Sequence, residues 1–192
     1  MPSQPLLDCH TRQMLGFEAL VRWEYPAGQW IAPLDFIPLS EELGLIDQIG
    51  ELVLHVACSA LAQWHREGHT HLGMSVNLSA VQLRNPRLPE QIAQVLQDHQ
   101  LPGAALTLEV TESVAMQDPD ACVLRLEEIR RLGVRLAIDD FGTGYSSLAY
   151  LKRLPLDSLK LDRSFVKDLE TNPNDAAICT ATISLAHHLG LA

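Results

Sequence analysis

The feature that most constrains the fold is the alternation of short β-type runs with helical runs after residue 70. Residues 72–78 (LGMSVNL), 106–111 (LTLEVT), 134–138 (VRLAI) and 159–161 (LKL) have the length and apolar pattern of strands. In 106–111, Leu106, Leu108 and Val110 share one face and Glu109 takes the other. Residues 89–99 and 120–132 space their apolar side chains as helices do, and Gly133 stops the second. A further helix over 174–189 ends at Gly190, and 47–66 carries a broad apolar face of Leu52, Val53, Val56, Ala60 and Leu61. Strand, helix, strand with short links and a repeat of roughly 30 residues implies a parallel sheet with crossover helices. The start differs. Residues 3–9 and 15–23 read as strands joined only by 10–14, a link short enough for a hairpin, so the first strand should run antiparallel to the second. The total is about six strands, where a closed (β/α)8 barrel has eight.

A chain of 192 residues, 47% hydrophobic and 20% charged, suits one domain with a substantial core and excludes a disordered or low-complexity chain. The net charge of −10 excludes sequence-independent binding to duplex nucleic acid, which needs a basic footprint. It leaves room for a small anionic ligand if cations bridge the like charges. Cys9, Cys58, Cys122 and Cys179 form no Cys-x-x-Cys pair and read as buried small hydrophobes in a reducing compartment. No run approaches the roughly 18 apolar residues of a membrane span, and the first residues lack a signal-peptide pattern. The expected location is the cytoplasm, either free or as the cytoplasmic part of a membrane-anchored protein.

In α/β sheets and barrels the C-terminal strand ends carry the chemistry. Here those ends bear Glu18, Asn77, Glu109, the adjacent Asp139 and Asp140, and Lys160. One such residue is commonly a helix cap or a satisfied polar group. As a set, the carboxylates would repel one another and raise each other's pKa unless a cation sits among them. Oxygen ligands without His or Cys select hard ions, Mg2+ or Mn2+. Two neighbouring aspartates can serve two ions, and Lys160 suits a phosphate oxygen or a water. The set fits two-metal phosphodiester hydrolysis. Other signals are weaker. Asp140-Phe141-Gly142 lacks the companion motifs of a kinase, and Gly142 and Gly144 lack the third glycine of a dinucleotide fingerprint. His65, His69 and His71 precede a strand, away from the mouth, and read as a solvated loop. His187 and His188 close a helix, where a cation suits the dipole.

These residues sit in GFEALVRW, SVNLS, EVTES, DDFGTGYSSL and KLDRSFV, joined by FIPLSEELGLI and YLKRLPLDSLKLD. In that order they resemble the EAL-domain family of cyclic di-GMP phosphodiesterases, from Gln4 to Ala192. The resemblance implies an α/β fold, a (β/α)8-type barrel with an antiparallel first strand. It implies one metal held by Glu18, Asn77, Glu109 and Asp139, and a second shared by Asp139 and Asp140, with Mg2+ or Mn2+ as the ions. Lys160, with Asp140 and Glu18, takes the catalytic role, contacting the attacking water or the scissile phosphate. Gln4, Leu20 and Arg22 match substrate-contacting positions. The loop after Asp140 resembles one that moves and couples dimerisation to metal binding, and Glu112 matches its anchor. Cyclic di-GMP is the implied ligand and a homodimer the expected assembly, with sensory or GGDEF domains in a longer protein. The family continues past Ala192 with a strand bearing a further metal-ligating Glu, so residues 1–192 are expected to be one barrel domain lacking its last two strand–helix units. A non-catalytic cyclic di-GMP receptor or protein-interaction module is the alternative. The unclosed barrel is expected to associate through its open edge.

Overall fold

The computed structural model describes residues 2–25, 28–144 and 148–192. Strands β1 (Ser3–Leu7) and β2 (Met14–Ala19) open the chain, followed by a short hairpin of β3 (Trp23–Tyr25) and β4 (Gln29–Ile31). Helices α1 (Pro33–Glu42) and α2 (Ile46–Arg66) lead to β5 (Gly73–Asn77), then α3 (Ala80–Arg84) and α4 (Leu88–Asp98) to β6 (Leu106–Thr111). Helices α5 (Glu112–Gln117) and α6 (Pro119–Arg130) precede β7 (Arg135–Phe141), and α7 (Leu148–Leu151) precedes β8 (Ser158–Leu161). Helices α8 (Arg163–Lys167) and α9 (Pro173–His188) complete the order. The six-stranded sheet runs β1-β2-β5-β6-β7-β8, with β3 and β4 paired separately. Strand β1 is antiparallel to β2, and every later neighbour is parallel, as the short first link and the long later crossovers require.

The core lies between this sheet and its helices. Leu106, Leu108, Val110, Leu136 and Ile138 from the strands cluster with Leu54 and Leu61 of α2, Ile92 of α4, and Leu126 and Ile129 of α6. Alternation then sends Glu109 to the other face of β6, away from the helices. Among the described residues, no helix is long and apolar enough to cross a membrane.

Several sequence expectations shift at their ends, each for a local reason. Strand β1 stops at Leu7 rather than Cys9, because Asp8 Oδ1 accepts from His10 N, Thr11 N and Thr11 Oγ1 and turns the chain. Strand β2 stops at Ala19, and Trp23 instead opens the β3–β4 hairpin, where it packs edge-on against Phe36 of α1. Strand β7 runs three residues beyond Ile138, to Phe141. Cys58, Cys122 and Cys179 are buried as expected, but Cys9 is exposed in the β1–β2 turn. Burial pushes the Cys58 thiol up to about 12.

The passage from β5 to α3 is fixed unusually firmly. Ser79 caps α3 by accepting from Gln82 N, while Gln82 Oε1 accepts from Ser79 N at 3.1 Å, a reciprocal capping box. The buried Gln82 side chain also lies against Gly50 of α2, where an added Cβ would collide with its amide. Helix propensity alone makes Gly50→Ala stabilising by about 1 kcal/mol. Packing opposes it, since the amide can yield only by giving up the capping box, and overpacking costs roughly 1–3 kcal/mol. Gly50→Ala is therefore expected to lower the midpoint of urea unfolding; a raised midpoint would show that Gln82 moves aside freely.

Candidate active site

The strand register brings the strand-end polar residues together. Gln4 of β1 pairs with Glu18 of β2, and Glu18 with Ser75 of β5. Two residues further along β5, Asn77 pairs with Glu109 of β6; Glu109 pairs with Ala137, and Asp139 stands two residues beyond on β7. A step of two keeps the same face, so Glu18, Asn77, Glu109 and Asp139 form a staircase on one side of the sheet. This is the stagger that tilted barrel strands impose.

Lys160 of β8 completes the group. Its Nζ donates to Glu18 Oε2 at 3.0 Å and Glu109 Oε2 at 2.5 Å, and lies 3.3 Å from Asp139 Oδ1. Asn77 Nδ2 donates to the other Glu18 oxygen, Oε1, at 2.8 Å. Glu18, Glu109 and Asp139 each place an oxygen within 4.8 Å of the others. Glu109 is the most buried of them, at 2% side-chain exposure. Burial pushes its carboxyl up, the bond and charge of Lys160 oppose that, and the charges of Glu18 and Asp139 add to it. Burial would pull the Lys160 ammonium down, but Glu109, Asp139 and Glu18 overcome this and hold it above its ordinary value. Three carboxylates face one ammonium, so with all groups ionised two negative charges stay uncompensated. The donor set is all oxygen and suits a hard divalent ion, whose charge would cancel that excess.

Asp140 is not part of the Glu18–Glu109–Asp139 group and lies next to it at an irregularity. Between β7 and β8, Ile138 pairs with Leu159 and Phe141 with Leu161, so β7 holds one extra residue over this stretch. Asp140 lies in that bulge with φ +54°. In a regular strand it would face away from Asp139. Here burial raises its carboxyl, and the nearby Asp139 and Asp162 charges raise it further. Asp162 caps α8, accepting from Ser164 N and Ser164 Oγ, and these bonds lower its own carboxyl. Asp162 was not singled out from the sequence. Its closeness to the charge of Asp140 appears only once β7 and β8 are side by side.

The remaining expected residues lie around this centre. Gln4 and Arg22 are exposed at its rim, and Leu20 is half-buried beyond Ala19. Arg22 donates to the Val21 carbonyl at 2.8 Å. Glu112 is fully buried behind the mouth, with Oε2 accepting from Gly142 N at 2.8 Å. Gly144 comes so close to Glu112 that a Cβ there would lie 2.9 Å from Oε1. Tyr145, Ser146 and Ser147 of the loop singled out in the sequence fall outside the described residues. His69 and His71 lie by the N-terminal end of β2, with Met14 and Trp64, at the far end of the strand from Glu18.

Comparison with known proteins agrees with this geometry. The EAL domain family model matches residues 3–192. The bifunctional diguanylate cyclase/cyclic di-GMP phosphodiesterase MucR of Pseudomonas aeruginosa is 47% identical over 188 residues, covering 98% of this chain and 27% of its own length. The cyclic di-GMP phosphodiesterase NbdA of the same organism is 44% identical, with 98% of this chain and 24% of that protein covered. The chain thus spans about a quarter of the length of these relatives. Among solved structures, the MucR phosphodiesterase in complex with c-di-GMP superposes with a TM-score of 0.93 at 46% identity, over 98% of this chain and 76% of that one. The EAL domain of FimX from Pseudomonas aeruginosa, bound to c-di-GMP, gives 0.87 at 25% identity, over 98% and 75%. The curled six-stranded sheet, the antiparallel first strand and the family match lead to one conclusion: this chain belongs to the EAL-domain family.

Proposed function

We propose that this chain is the catalytic domain of a metal-dependent phosphodiesterase that opens cyclic di-GMP to linear pGpG. The observation that carries the reading is the convergence of Glu18, Asn77, Glu109 and Asp139 on Lys160, with negative charge in excess. Two Mg2+ or Mn2+ ions are the proposed cofactors, the first held by Glu18, Asn77, Glu109 and Asp139, the second by Asp139 and Asp140. When bound, such ions polarise phosphoryl oxygens and neutralise the charge of an in-line displacement. Water adds to one phosphorus, the bond from phosphorus to the 3′ oxygen breaks, and that oxygen leaves with a proton. Lys160 holds its ammonium beside the reacting phosphate. Gln4, Leu20 and Arg22 bind and orient the substrate at the rim; Arg22 is exposed enough to reach a phosphate. Glu112 anchors the turn after Asp140.

The same proposal covers the setting. The chain is one domain of a longer signalling protein, joined to sensory or GGDEF domains, with its last two strand–helix units beyond Ala192. Ala192 N donates to Asp157 O at 3.0 Å and its carbonyl accepts from Leu159 N at 2.9 Å, the bonding of a parallel neighbour starting beside β8, which supports the reading. The free cysteines suit the reducing cytoplasm, whether the protein is free there or membrane-anchored. A homodimer is the proposed assembly, as the resemblance implies. Sedimentation velocity over a range of concentrations is expected to show a dimer; a monomer throughout would exclude it.

The activity is tested on the protein with its complete barrel, by calorimetric binding of cyclic di-GMP alongside chromatographic detection of pGpG. Asp139→Ala and Glu18→Ala are expected to lower turnover by more than the roughly 100-fold that an outer partner of a metal ligand costs. Near-normal turnover in either variant at saturating Mg2+ would contradict the proposal. Binding without product in the unmutated protein would identify a receptor instead.

A further inference from the structure

The turn after Asp139 and Asp140 is gripped from two sides. On one side the buried Glu112 accepts from Gly142 N at 2.8 Å. On the other, Phe165 of α8 sets its ring edge against Gly142. A Cβ at position 142 would lie 2.8 Å from Phe165 Cε2 and 3.4 Å from Cζ. Gly142 also has φ +99°, so both its backbone conformation and the ring call for glycine.

Phe165 is itself held in place. Its N–H bonds to Asp162 O at 3.2 Å, and its carbonyl accepts from Cys179 Sγ of α9 at 3.3 Å. Asp162 N in turn bonds to Phe141 O at 3.3 Å, tying the start of α8 to the end of β7. The grip matters because the regular β7–β8 ladder lapses between Ile138 and Phe141, where both aspartates sit. Asp140 occupies the left-handed region, which is unfavourable for a non-glycine residue and persists only when the surroundings fix it.

We infer that Phe165 is a positioning residue for the Asp139–Asp140 pair, acting through Gly142 as a second anchor opposite Glu112. The inference rests on the proposed role of that pair in holding divalent ions. Without the ring Gly142 keeps its bond to Glu112 but loses the packing against α8, and the two carboxylates are held less firmly in advance of ion binding.

The test is Mn2+ binding to the full-length protein, followed by electron paramagnetic resonance of free Mn2+, with thermal unfolding run in parallel. Phe165→Ala is expected to raise the Mn2+ Kd by about 10-fold or more, in the 10–100-fold range for outer partners of metal ligands. Phe165→Tyr, which keeps the ring, is expected to stay within about 2-fold of the unmutated protein, since the same packing survives. Leu126→Ala, in the buried core between α6 and the sheet, is expected to lower the Tm and leave Mn2+ affinity unchanged. If Phe165→Ala fails to fold, Phe165→Leu is judged by the same criterion. Unchanged affinity in Phe165→Ala, with Asp139→Asn losing it, would overturn the role of Phe165 and leave the phosphodiesterase reading intact. Loss of affinity in Leu126→Ala equal to that in Phe165→Ala would also overturn it, as a global effect. Absence of any Mn2+ site that Asp139→Asn removes would overturn both.

Discussion

Unbalanced negative charge at the strand ends is the constraint on which the rest of this molecule depends. Two like charges 4 Å apart repel by about 4 kcal/mol at an effective dielectric of 20. Glu18, Glu109 and Asp139 stand within such distances of one another, with Asp140 next in the chain. Lys160 offsets part of this repulsion by touching all three. Removing one member of a buried charged set is costly chiefly because the others are left uncompensated. The same excess that makes the cluster unfavourable alone suits it to hard divalent ions, in a group that stability alone would not select.

Holding that group requires a stiff frame. The helix-facing side of the sheet supplies it, with Leu106, Leu108, Leu126, Leu136 and Ile129 fully buried. Each strand is then a rigid arm, and the two-residue stagger decides which side chains meet. Beyond the strand ends the frame passes to individual contacts. The Ser79–Gln82 capping box fixes the chain just after Asn77, and Glu112 and Phe165 flank Gly142 just after Asp140. The proposed metal ligands therefore stand next to turns with their own local anchors, an arrangement that limits how far they can drift before an ion arrives.

Much of this could be read in the sequence, because periodicity and burial agree there. Strand β6 was legible to the residue, since Leu106, Leu108 and Val110 alternate with the polar face that carries Glu109. The antiparallel first strand followed from the short link before Met14. What stayed hidden depends on contacts between distant segments. Alternation alone sends Asp139 and Asp140 to opposite faces, and only the bulge against β8 breaks that alternation. Asp162 carries no signal in the sequence, since its charge meets that of Asp140 only when β7 lies beside β8. The β3–β4 hairpin went unread apart from Trp23, which was taken as the end of the second strand because an aromatic residue carries a strand signal without showing where the chain turns away. Cys9 was read as buried, but the turn made by Asp8 lifts it into solvent.

The central claim is that the strand-end carboxylates form a divalent-cation site. Its most direct measurement is anomalous diffraction from crystals of the protein grown with Mn2+. The account predicts a Mn2+ peak bound by oxygens of Glu18, Asn77, Glu109 and Asp139, with Lys160 Nζ moved from its present contacts with these carboxylates, and a second peak beside Asp140. Lys160 still bridging Glu18 and Glu109 at saturating Mn2+, with no anomalous peak among these residues, would contradict it.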